Sequence, residues 1–220
     1  MINFKLFHSR RRTVSLIVKR DGSLVVRAPK RLGKEEITKI INKKKEWIEK
    51  SVRKMKALTP AIKEFRNGEI FLYLGKGYPL RLINNGRVKL KFDGEAFYLF
   101  CGKAGQGKKI FTQWYVKQAQ EVIFPRARHF AEIMGVKYRR ISITSANTRW
   151  GSCGSHGTIN FSWRLVLAPP DIIDSVIVHE LAHLLYHDHS KKFWGKVHEF
   201  YPDYKQAREW LNKNGHKLQI

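Results

Sequence analysis

The stretch "PPDIIDSVIVHELAHLLYHDHSKKFW", Pro169 to Trp194, constrains this chain more than any other part of it. Ile172, Ile173, Val176, Ile177, Leu181, Leu184 and Leu185 surround most of the helix it predicts, the pattern of a buried helix rather than a half-wetted one. The prolines forbid an earlier start, Asp171 suits the N-cap, and Asp174 falls in the first turn. Within this apolar surface stand His179, Glu180, His183, His187 and His189. A carboxylate buried there without a partner is costly, and a metal with its water provides one.

His179-Glu180-Leu181-Ala182-His183 fits H-E-x-x-H. Positions i and i+4 share one helix face, so two imidazoles reach one ion at about 2.0–2.1 Å. Glu180 lies about 100° around the helix from His179, beside the ion, where it can take a proton from water. The competing reading is a chance match among satisfied core histidines. His187 continues the ladder, yet it stands about 12 Å along a straight helix axis from His179, too far to converge on the same ion. His189 follows His183 by six residues, the spacing at which the metzincin motif H-E-x-x-H-x-x-G-x-x-H brings in its third histidine. Tyr186 replaces the glycine of that motif, so the turn is expected around His187-Asp188, where Asp tolerates left-handed backbone. His189 is the expected third ligand. His187 is left for a supporting role, and His198 reads as a packed histidine.

Charge is the strongest compositional signal, at a formal +25. It is unevenly spread: residues 1–60 hold 18 Lys/Arg against 5 Asp/Glu, residues 61–170 hold 18 against 6, and residues 171–220 hold 7 against 7. The basic surface therefore precedes the histidine cluster. Such an excess attracts polyanions, with a solubilising surface as the plain alternative. No apolar run reaches transmembrane length, no signal peptide is evident, and Cys101 and Cys153 are too few for a disulfide framework. A cytoplasmic protein, monomeric by default, is expected.

Along the chain, "TVSLIVKRDGSLVVRAP" predicts a β-hairpin turning at Asp21-Gly22. "KEEITKIINKKKEWIEKSVRKMKAL" predicts one amphipathic helix. From Glu69 to Phe100 short strands read as an antiparallel meander with turns at Asn85-Gly86 and Asp93-Gly94, and Gly102 to Lys109 reads as a linker. A helix bent or broken near Pro125 and closed by Gly135 follows. Then come two strands, "RRISITSANTRWGSC" and "GTINFSWRLVLAP", the histidine helix, and one or two closing helices. The expected architecture is α+β: a basic, β-rich N-terminal domain over residues 1–106 and a C-terminal domain over 107–220 carrying the H-E-x-x-H helix.

Arg149 to Trp194, "RWGSCGSHGTINFSWRLVLAPPDIIDSVIVHELAHLLYHDHSKKFW", closely resembles the YgjP-like metallopeptidases, a family of predicted metal-dependent hydrolases allied to the SprT-like and WLM zincins. The matching elements are Trp150 to Cys153, Gly157, Leu165 to Pro169, His179 to His183, His189-Ser190 and Phe193-Trp194, and the N-terminal hairpin and "KKKEWI" helix extend the resemblance over nearly the whole chain. The resemblance implies a zincin-like catalytic domain, one Zn²⁺ ion held by His179, His183 and His189, and Glu180 as general base. Asp188-His189-Ser190 stands where the family commonly has Asn-His-Ser, a departure that leaves the ligand in place.

The expected chemistry is peptide hydrolysis, with a protein or peptide substrate and with nucleic acid as a partner of the basic N-terminal part. Hydrolysis of a nucleotide or other phosphorylated small molecule, and nucleic-acid binding with a structural zinc, are the competing classes. Tyr186, His187 and Arg164 are the candidates to steady an oxyanion. Cys153 reads as a small residue supporting a tight turn, with a thiol near the metal as the rival reading. Trp150, Trp163 and Trp194 read as core.

Overall fold

The structure, a computed structural model, describes residues 3–19, 22–57, 63–84, 89–100 and 105–220. It has two compact units, Met1–Ala61 and Ile62–Ile220. None of the described helices is long and apolar enough to cross a membrane.

The first unit contains β1 (Phe4–Ser9), β2 (Ser15–Val18), β3 (Leu24–Pro29), α1 (Lys34–Lys43) and α2 (Lys45–Ala57). β2 and β3 form the expected hairpin; Gly22 has φ 80° there, and Asp21 lies outside the described residues. β1 was not anticipated and pairs parallel with β3, giving the order β1-β3-β2. Leu24, Val26 and Ala28 face one way and meet Ile37, Ile41 and Ile48 in a small core, as period-two and helical spacings require. The single expected helix is interrupted at Lys44, whose N–H is shared between the carbonyls of Ile40 and Ile41.

The second unit begins with β4 (Ile70–Tyr73), β5 (Lys76–Ile83), β6 (Leu90–Phe92) and β7 (Phe97–Phe100). The meander expectation is corrected here. The order is β4-β5-β7-β6, with β5 and β7 parallel and β6 passed to the edge. Alternating hydrophobicity specifies which face a strand buries, not which strand becomes its neighbour. The Asn85-Gly86 turn and residues 102–104 of the expected linker lie outside the described residues.

The expected division at 106/107 differs from the one observed at 61/62. This sheet shares a core with the long helix α3 (Gly107–Met134): Phe71 stacks on Phe111 at 4.2 Å, and the Tyr115 hydroxyl donates to the Leu72 carbonyl at 2.7 Å. The β4–β5 turn also docks on the 3-10 turn Trp163–Leu167, donating from Leu74 and Gly75 to the carbonyls of Val166 and Leu167. At Gly75 a Cβ would meet Pro169 Cγ at 2.7 Å, so glycine permits that contact.

Of the two expected effects of Pro125, a bend or a break, the break does not occur: α3 runs through the proline as one helix. Its buried stripe, Phe111, Tyr115, Ala119, Ile123, Ala127 and Ala131, continues on both sides of the proline, so packing outweighs the missing hydrogen bond. Gly135 closes the helix at φ 66° as expected.

β8 (Arg140–Thr144), β9 (Gly151–Cys153) and β10 (Thr158–Ser162) form the third sheet, ordered β8-β10-β9. The first of the two expected strands is thus two, β8 parallel and β9 antiparallel to β10, and β9 is left at an edge. α4 (Pro170–Ala182) follows, with Pro169 rather than Asp171 at the N-cap, because the fixed φ of Pro170 suits the first helical position. α5 (Lys191–Phe200) and α6 (Tyr204–Asn214) close the chain.

Candidate metal and catalytic site

α4 is buried on nearly every side: Ile172, Ile173, Val176, Ile177, Val178, Leu181 and Ala182 all belong to the core. Each fully buried aliphatic chain contributes about 1.5–3 kcal/mol, so this helix is held by packing rather than propensity. Arg126 on α3 ties it down further, donating from Nη1 to both carboxylate oxygens of Asp174 at 2.8 Å. Burial nevertheless raises the Asp174 pKa, outweighing the nearby guanidinium.

The helix presents His179 and His183 on one face, and the loop after it returns His189 to them. One ring nitrogen from each of the three lies within 4.8 Å of the others, a group that can hold a metal ion. The Nε2 atoms of His179 and His189 face each other at 3.3 Å. His183 donates from Nδ1 to the Tyr186 carbonyl at 3.0 Å, which leaves its Nε2 as the free donor. Phe193, fully buried, lies under all three imidazoles, with ring centroids 5.0, 4.5 and 4.8 Å from those of His179, His183 and His189. Trp194 stacks on His189 and is itself backed by Tyr204.

Burial first, then the neighbouring histidines and Arg208, push the His179 pKa down to about 3. Burial also lowers that of His183. Both are therefore neutral near pH 7, the state in which imidazole binds a metal.

The loop departs from expectation. The chain leaves the helix earlier than expected, at His183, with Leu184 and Leu185 in a following turn, and it bends again at His187-Asp188, where the turn was expected. Asp188 needs no left-handed backbone, since positive φ among described non-glycine residues is confined to Phe65 and Leu74. Asp188 accepts from the Ser190 N–H at 3.2 Å, and Ser190 caps α5 by accepting from Phe193. That cap fixes where both His189 and Phe193 stand.

Glu180 is only 6% exposed, and burial raises its pKa to about 7 against the opposing charge of Arg149. Its carboxylate lies against β9: a Cβ at Gly151 would fall 2.5 Å from Glu180 Cγ and 2.6 Å from Oε1. Gly151, within the Trp-Gly-Ser-Cys stretch, is the residue that admits the carboxylate. Next to it a pocket of about 290 Å³ is lined by Arg149, Trp150, His179, Glu180 and Arg208, together with Val176 and Leu211.

Other expected residues are placed differently. Arg164 donates to the carbonyls of Ser145 and Ala146 and lies over the Trp163 ring. His187 is exposed and lines a separate pocket with Lys137, Arg139 and His156. Tyr186 contributes its carbonyl to His183, and its side chain packs against the core. His198 is exposed, donating to the Pro202 carbonyl at 3.3 Å, rather than packed. Cys153 stays outside the histidine group; its thiol, raised in pKa by burial and by Glu180, points to the Gly154 carbonyl. Trp163 is core, whereas Trp150 and Trp194 wall the site.

Arg149, Gly151, Phe193 and Arg208 escaped the sequence reading as site residues. Gly151 and Phe193 stand in the short elements matched to a family, Arg149 only opens the longer stretch that resembles it, and Arg208 lies outside it.

A family model described as YgjP-like, metallopeptidase domain, matches residues 12–214. The crystal structure of the metallopeptidase zymogen of abylysin from Pyrococcus abyssi is similar over 41% of this chain and 93% of that one, at 21% identity and a TM-score of 0.38. No curated protein matches the chain.

Proposed function

Because the chain belongs to the YgjP-like metallopeptidase family, we propose that it is a zinc-dependent peptidase whose ion is held by His179, His183 and His189 and whose general base is Glu180. The observation that carries this reading is the convergence of three imidazoles, His179 and His183 held neutral by burial, beside one buried carboxylate. His179, His183 and His189 would hold the ion, and three nitrogen donors are a set that would suit Zn²⁺. A zinc ion held there supplies Lewis-acid polarisation of the scissile carbonyl and makes a water molecule easier to deprotonate.

The chain's own groups do the rest. Glu180, titrating near neutrality, takes the proton from the attacking water and passes it to the leaving amine. Gly151 keeps room for that carboxylate. The open edge of β9, in the sheet ordered β8-β10-β9, receives the substrate as an added strand. Phe193 and the His183–Tyr186 hydrogen bond hold the imidazoles in orientation. The test compares the zinc-loaded chain with its Glu180→Gln variant on an unstructured protein and on nucleoside triphosphates. Proteolysis should fall by at least about 10²-fold while zinc content is unchanged. Phosphate release without proteolysis would establish the nucleotide reading instead.

The first unit supports a second part of the proposal, delivery to nucleic acid. Its described residues form no ion pair, and Arg10, Arg11, Arg12, Lys30 and Arg31 bound one pocket of about 440 Å³. On the sheet face opposite its core Phe7 is 54% exposed, with Arg27 as its register partner. An exposed aromatic among unpaired cations suits phosphate contact and base stacking. An electrophoretic shift of single-stranded DNA that weakens steeply with salt is expected; binding that ignores salt would remove this part.

A further inference from the structure

The pocket beside Glu180 has a composition that general basicity does not explain. Trp150, Val176 and Leu211 give it apolar lining, and two arginines, Arg149 and Arg208, stand on the same lining. Glu180 is the one acidic residue on that lining. Among the described residues neither arginine forms a hydrogen bond or ion pair, although the charge of Arg149 acts on Glu180, whereas Arg126 is engaged by Asp174 and Arg164 by backbone carbonyls.

Arg208 is nonetheless held. The Arg208 guanidinium lies over the Trp194 ring at 4.8 Å, and Trp194 stacks on His189. The Trp150 wall is pinned by the C-terminal segment, since a Cβ at Gly215 would meet Trp150 Cζ2 at 2.8 Å. Two guanidiniums against the single carboxylate of Glu180 leave the pocket net positive. A planar donor fork matches a carboxylate, and an apolar wall matches the carbon stem that carries one.

We propose that this is the specificity pocket of the site, and that Arg149 and Arg208 bind a carboxylate of the substrate next to the scissile bond. The inference rests on the peptidase reading above. The carboxylate comes either from an acidic side chain or from the substrate's C-terminus, two sources of one chemistry. Lysine in the same place would set a cation against two guanidiniums and is rejected.

The test uses blocked alanine hexapeptides bearing one glutamate, glutamine or lysine, and an all-alanine hexapeptide with a free C-terminus. Binding is measured by calorimetry on the zinc-loaded Glu180→Gln chain, and kcat/KM on the zinc-loaded wild type. A carboxylate-bearing peptide should bind about tenfold tighter than the glutamine peptide, as expected for a charge-assisted pair. In the same background, combining Arg149→Leu with Arg208→Leu should bring that ratio to about one, and Arg208→Glu should turn the preference towards lysine. The stronger of the glutamate and free-terminus peptides identifies the source. Equal binding of all four peptides, or inorganic phosphate displacing them at lower concentration than acetate does, overturns the proposal. Carboxylate selectivity without Glu180-dependent hydrolysis sinks the peptidase reading and leaves the pocket; hydrolysis without selectivity does the reverse.

Discussion

Unit Met1–Ala61 and helix α4 solve opposite electrostatic problems. The unit spreads 18 basic residues over a small protein surface and forms no ion pair among its described residues. Its core is six residues, Leu24, Val26, Ala28, Ile37, Ile41 and Ile48. α4 carries few ionisable groups, but burial has moved several from their ordinary pKa: His179 to about 3, Glu180 to about 7, and Asp174 upward. Charge left in water is cheap to keep and changes little chemically. Charge drawn into a core is costly, and that cost is what makes a carboxyl group able to exchange protons near neutrality.

The sharpest way to break this contrast is Gly151→Val. The added carbons occupy the space of the Glu180 carboxylate, and displacing a catalytic group by about 1 Å costs on the order of 10²-fold in turnover. Loss of kcat with zinc content intact is expected; unchanged kcat would mean that Glu180 does not act where it stands. Chelation is next. Removing a zinc present at about 100 times its Kd should cost about 2.7 kcal/mol, seen as a lower Tm on adding chelator. An unshifted melt would show that the histidine group holds no stabilising ion.

Arg126→Ala leaves the half-buried Asp174 unpaired and should cost about 1–3 kcal/mol by denaturant titration. Because burial already holds the Asp174 pKa above its ordinary value, that loss should be smaller in acid, where the carboxyl is protonated. The smallest effect belongs to Asp93, which accepts from the N–H groups of Glu95 and Ala96 in an exposed turn. Those bonds depress its pKa from 3.8 to about 2. The folded pKa is lowered, so the contribution is present above about pH 4 and disappears as pH falls towards 2. Asp93→Asn should flatten that part of the acid-stability curve and leave neutral stability nearly unchanged.

Much of the site was legible because H-E-x-x-H is a local pattern. Helical geometry alone puts His179 and His183 on one face and Glu180 beside them, whatever surrounds the helix. His189 was legible by spacing, although the chain turns first at His183 to Leu185, before the bend at His187-Asp188, and leans on the Asp188–Ser190 hydrogen bond. Arg149 and Arg208 were not legible. They lie 59 residues apart in the sequence and meet only because β9 and α6 both pack on α4. The strand order β4-β5-β7-β6 was hidden for a related reason: periodicity reports burial, and several pairings bury the same face.

By itself, then, the sequence determined the α+β class, the uneven charge, the buried histidine helix and the three histidines on it and after it, since each follows from composition or from contacts within a few residues. The tertiary structure alone decided which strands are neighbours, that α3 passes Pro125 unbroken, that Gly151 makes room for Glu180, and that two arginines share its pocket. Those features depend on contacts between residues far apart in the chain, where the free energy of packing selects among arrangements that local propensity leaves equal.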